Sequence, residues 1–252
     1  MILRRVIQHV KKQEWTAIAI DFVIVVVGVF VGIQVQQWSN ERSERKLERV
    51  YLERILSDIN ISIETNELNV KRLVASRDGQ VLVLGSLRRC SLPTAQQDAF
   101  ADGITHLNRV APSVFVLSTV DEMLSAGKFS IIRNSKVRDT LNGLARDEKY
   151  QHDVYIAKVA QISEPAHIAN SRMIRIYTEH KTPFDPVRWD ELDLNFNALC
   201  QDREFMAAVS SLRNITDAGI SLNNRALDKL SNAKIVLEKE LGIEAEAKAT
   251  AP

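Results

Sequence analysis

The run 17-AIAIDFVIVVVGVFVGIQV-35 decides how this chain is read. It is the only run both long and apolar enough to cross a bilayer, and only Asp21 and Gln34 within it are polar. Its nineteen residues span about 28 Å at the helical rise, close to a hydrocarbon core. Trp15 and Trp38 flank it where an aromatic belt would sit at the two headgroup levels. A cleaved secretory signal would end in small residues before its cut site, and this run ends Val29–Phe30–Val31–Gly32–Ile33–Gln34–Val35. An uncleaved anchor is therefore expected over residues 15–38.

Ahead of it, residues 1–14 form a basic leader with Arg4, Arg5, Lys11 and Lys12. Ile2, Leu3, Val6, Ile7 and Val10 fall at near-helical spacing. The leader reads either as an amphipathic helix on an anionic leaflet or as the plain basic flank of the anchor. Bases also follow the span closely (Arg42, Arg45, Lys46, Arg49, Arg54), but they are interleaved with Glu41, Glu44, Glu48 and Glu53. That asymmetry predicts a cytoplasmic N-terminus, with the main domain on the periplasmic side of a bacterial inner membrane.

Within the span, Gly28 and Gly32 form a GxxxG pair that lets a second helix approach closely. Asp21 lies seven residues before Gly28, on the same helical face. An acid at this depth costs up to about 3 kcal/mol, so it calls for protonation or a partner. Asp21, Gly28 and Gly32 are the expected contact for a second copy or a partner membrane protein. The bland alternative is a pair of incidental glycines with an acid that snorkels to the interface.

Residues 39–241 carry helical periodicity, and residues 242–252 read as a frayed tail. Leu47, Tyr51, Ile55, Ile59 and Ile63 step by four along a first helix with no proline before Pro93. Thr94 with Gln97 predicts a capping box, and Ala111–Pro112 an interruption. A helix over about 116–126 ends at Gly127, and Asn134 or Ser135 caps the next. Pro165 predicts a kink, 182–197 a loop with one helical turn, and Asp202 a cap on a last helix running to Gly242. Four passes of matched length predict an all-α fold, an up-down-up-down bundle whose second pass is broken.

In that topology Cys90 and Cys200 both fall at the tip away from the membrane. They form either one bridge, favoured in an oxidising compartment, or two buried thiols. Net charge is +1 with acids and bases intermixed, which argues against nucleic acid as a partner. No nucleophile elbow, P-loop or dinucleotide fingerprint is present. Glu164–Pro165–Ala166–His167 is a single Glu-x-x-His with a proline inside it, where a di-iron bundle needs two such pairs. No catalytic residue, cofactor or metal ligand is therefore assigned.

Asp21–Val35 followed by Gln37–Trp38–Ser39–Asn40, the block Tyr51–Ile59, and the block Thr119–Asn134 together resemble an uncharacterised family of bacterial single-span membrane proteins. The resemblance implies an inner-membrane anchor and a mostly helical domain, and implies no site residues. The expected function is a non-enzymatic membrane-anchored interaction or scaffold protein. A periplasmic ligand sensor acting through a partner membrane protein is the second reading.

Overall fold

The computed structural model describes residues 15–175 and 186–243, and their side chains other than those of residues 15–18, 21 and 175. The leader 1–14, Ile176 and the tail beyond Ile243 lie outside the described residues, as do the side chains of Trp15 and Asp21. The fold is all-α: α1 (Trp15–Arg89), α2 (Gln97–Thr105), α3 (Ser118–Ser125), α4 (Ser135–Ala160), α5 (Ser163–Ser171), α6 (Phe196–Leu199) and α7 (Arg203–Leu241). One antiparallel ladder of two residues, β1 (Ile174–Arg175) with β2 (Leu192–Asp193), is the only strand pairing among the described residues. The chain divides into two compact units, Met1–Tyr51 and Leu52–Pro252.

In the first unit the helix is apolar and exposed over residues 22–35. Phe22, Ile24, Val25, Val29 and Phe30 are all exposed. It is long and apolar enough to cross a membrane, and none of its most apolar window is buried.

The second unit has a continuous core. Val83 and Leu87 of α1, Phe100 and Ile104 of α2, Ala169 of α5, and Phe205, Val209 and Leu212 of α7 form one buried cluster. Phe100 meets Trp189 and Phe196 edge-on, with ring centroids 6.0 and 5.5 Å apart. The buried face of α1 steps by three and four through Leu52, Ile55, Ile59, Ser62, Asn66, Asn69, Leu73, Ser76, Gln80, Val83 and Leu87. This seam differs from the expected four-residue stripe. Leu47 is exposed and Ile63 only half-buried, because a strict step of four drifts around a helix with 3.6 residues per turn.

Helix ends follow local chemistry. The Asn134 and Asp202 side chains accept from the backbone N–H of Lys136 and Phe205, capping α4 and α7. The predicted Thr94–Gln97 capping box does not form. Pro93, with φ −58°, opens a 3₁₀ turn over Thr94–Gln96, so Thr94 lies inside the turn rather than ahead of the helix. The break expected at Pro165 comes earlier, at Gln161–Ile162, between α4 and α5. Proline supplies no N–H for a bond back along α4 and fits within the first turn of α5. The predicted 116–126 helix is shorter, as α3 starts only at Ser118.

One helix contact is between backbones. A Cβ on Gly79 would stand 2.8 Å from the Cα of Gly103, and one on Gly103 would stand 2.9 Å from the Gly79 carbonyl oxygen. Gly79→Ala gains up to about 1 kcal/mol of helix propensity. The clash is with backbone and cannot be relieved by a rotamer, so overpacking of about 1–3 kcal/mol should win. A lower urea midpoint for Gly79→Ala is the expected result. An unchanged midpoint would mean that α1 and α2 part without cost.

Candidate functional site

Two of the three proposed span residues can be placed. Gly28 and Gly32 lie on the exposed helix, and a Cβ on either would meet nothing within 4 Å. Trp38 is exposed, and the Arg42 guanidinium carbon lies 5.9 Å from its ring centroid.

The second unit holds an arrangement that periodicity did not reveal. Between α2 and α3 the chain runs without helix from His106 to Leu117. Polar side chains of the α1 seam clasp this strap through its backbone. The Asn66 side-chain amide donates to the Val114 carbonyl (2.7 Å), and its oxygen accepts from the Val114 N–H (3.0 Å). The Ser62 hydroxyl accepts from the Val116 N–H at 2.8 Å. Asn69 donates to the Pro112 carbonyl, Ser76 to that of His106 and Gln80 to that of Leu107. From α7, Asn223 donates to the Ala111 carbonyl at 3.2 Å. An irregular segment packed against helices needs partners for its peptide groups, and these side chains supply them.

At one end of the strap, the Asp58 carboxylate accepts from the Ser118 hydroxyl and the Thr119 N–H, both at 3.0 Å. It thus sits at the N-terminus of α3, where negative charge is favoured. Arg54 grips Glu122 with two hydrogen bonds, 3.2 and 2.6 Å. Arg54 and Asp58 of α1 are thereby tied to the first turns of α3.

Cys90 and Cys200 are joined in a disulfide with Cα atoms 5.3 Å apart. Cys90 has φ +48°, the only positive φ outside glycine among the described residues. It closes α1 with its N–H bonded to the Leu87 carbonyl and that of Ser91 bonded to the Ser86 carbonyl. Gly127 and Gly242 close α3 and α7 with the same pair of bonds. Near Cys200, Arg172 donates to Asp202 (2.8 Å) and Glu204 (2.6 Å). The Arg172 hydrogen bond, helped by the Phe205 N–H, holds the Asp202 carboxyl below its usual range.

Protein-family models, curated proteins and solved structures were compared with the chain, and none matches. What the site can do follows from its own chemistry. Among the described residues no grouping of His, Cys, Asp and Glu could hold a metal. Glu164 and His167 are both exposed on α5.

Asp102 and His106 form an acid–imidazole pair. His106 Nδ1 lies 3.1 Å from an Asp102 carboxylate oxygen and 2.9 Å from the Asp102 carbonyl. The His106 hydrogen bond holds the Asp102 carboxyl low, aided by the charge of His106 and by the Val187 N–H. The pair closes the end of α2, where the Ser76 hydroxyl takes up the His106 carbonyl. His152 is exposed on α4, and His9 and His180 lie outside the described residues.

Proposed function

We propose that the chain is a membrane-anchored, non-enzymatic helical interaction or scaffold protein of a bacterial inner membrane. The N-terminal leader is cytoplasmic, residues 15–38 cross once, and residues 39–241 form a periplasmic up-down-up-down bundle; the single-span family that the chain resembles implies the inner-membrane anchor and a mostly helical domain. The carrying observation is the bare apolar helix. Side chains such as Phe22, Ile24 and Phe30 are more than half exposed, and a continuous apolar surface of that length calls for lipid or protein around it. The Cys90–Cys200 disulfide supports an oxidising compartment for the domain.

The partners in this reading are the bilayer and, at Asp21, Gly28 and Gly32, a second copy or another membrane helix. Nucleic acid and cofactors have no part in it. The interhelical cleft lined by Leu73, Ala111, Thr216, Gly219 and Leu222 has a volume of about 10 Å³. That is room for about one water, whereas a more open cleft between α1 and α7, lined by Val81, Leu84, Arg88, Met206 and Arg213, has about 470 Å³.

Crosslinking in native membranes tests the contact. Gly28→Leu and Asp21→Leu are expected to abolish a crosslinked complex that the native chain forms. Persistence of the complex in both variants would remove this face from the interface. A membrane-impermeant maleimide should label Cys90 and Cys200 from the periplasm only after reduction. Labelling that requires cell lysis would place the domain in the cytoplasm.

A further inference from the structure

Just past the apolar run, Trp38, Glu41, Arg42 and Arg45 line a shallow cleft on one face of α1. They stand at i, i+3, i+4 and i+7, the spacing that brings side chains together on a helix. The two arginines lie back over the preceding turn. The Arg42 guanidinium sits by the Trp38 ring, and an Arg45 nitrogen is 4.0 Å from a Glu41 carboxylate oxygen. Helical side chains lean toward the N-terminus, which is here the side of the apolar run. Both cationic groups are thereby drawn back to the level of Trp38 and Glu41, about 5–9 Å beyond Val35 along the axis. The headgroup layer on each side of a bilayer is about 5–8 Å thick.

We propose that Trp38, Arg42 and Arg45 form a collar that binds the phosphate of an anionic phospholipid. The inference rests on the membrane-anchored reading. Charge complementarity selects the phosphate, and continuity with the bare apolar helix selects a lipid as its source. Two guanidiniums offer forked N–H donors to the phosphate oxygens. The Trp38 ring packs at the boundary between acyl chains and headgroups. Glu41 opposes an anion. Its contact with Arg45 is long and both side chains are more than half exposed, so the pair contributes little and gives way to a phosphate.

Native mass spectrometry of the full chain from micelles holding equal phosphatidylglycerol and phosphatidylcholine tests the collar. The native chain should retain phosphatidylglycerol preferentially. Arg42→Gln/Arg45→Gln should lower that preference about tenfold. Arg146→Gln/Arg225→Gln, which removes the same charge elsewhere, should leave it intact. An unchanged preference in the collar variant overturns the proposal, as does displacement of the lipid by millimolar inorganic phosphate. Carbonate extraction of membranes separates the two readings. A chain released by carbonate defeats both, whereas a chain retained by carbonate but lacking the preference defeats only the collar.

Discussion

Asn66→Ala is expected to lower the stability of the domain by about 2–6 kcal/mol, the sum of about 1–3 kcal/mol for each of two backbone groups left without partners. Asn66 is fully buried and serves both the N–H and the carbonyl of Val114. Among the described seam residues, only the Asn66 side chain serves both backbone groups of one strap residue. Asn66→Leu keeps the branched shape and adds apolar burial, yet it leaves the same two groups unpaired, so it should also destabilise. Ser62→Ala removes the neighbouring acceptor for Val116. Because Asn66 also donates to the Ser62 carbonyl, and both side chains hold one segment, the double variant should lose less than the sum of the singles. Urea unfolding of the full chain in detergent reads all four. A loss below about 1 kcal/mol for Asn66→Ala would mean that water serves the strap equally well.

The second large effect is expected at the tip. The disulfide closes a separation of 110 residues, and removing it as Cys200→Ser should cost about 3–5 kcal/mol on the chain-entropy account. A finer comparison follows from the backbone of Cys90. Its left-handed conformation costs about 1–2 kcal/mol in a residue with a Cβ, while glycine adopts it freely. Among variants that have lost the bridge, Cys90→Gly should therefore be more stable than Cys90→Ser by about 1 kcal/mol. Thermal unfolding with and without reductant measures both differences. Equal stability of the two Cys90 variants would show that the α1 terminus relaxes once the bridge is gone.

Much of this was legible in the sequence. The apolar run, the caps at Asn134 and Asp202, and the ends at Gly127 and Gly242 are each set by neighbours within a few residues, and local patterns report them well. The strap was not legible. Ser62, Asn66, Asn69, Ser76 and Gln80 carry no local signal, because their partners are peptide groups some 27 to 54 residues away. One signal was available. These residues continue the three-four spacing of Ile55 and Ile59 through to Val83 and Leu87, and polar residues within an apolar seam are candidates for buried hydrogen bonds. At Cys90 the expected glycine is replaced by cysteine, and the partner that makes this acceptable lies far along the chain. Of the span contact, Gly28 and Gly32 are placed, while the Asp21 side chain lies outside the described residues.

The polar middle of the α1 seam also fixes alignment. A long helix with a uniform apolar seam can slide by one heptad against its neighbours at little cost, since each leucine or isoleucine then meets another apolar surface. Here a slip of seven residues would put Leu73 or Ile59 against the Val114 peptide and move the Asn66 amide into apolar packing. Either error strands buried hydrogen-bonding groups. The clasp thus acts as a registration mark, comparable to a lone buried asparagine in a coiled coil, and it gives the longest helix of the chain a single position along its axis.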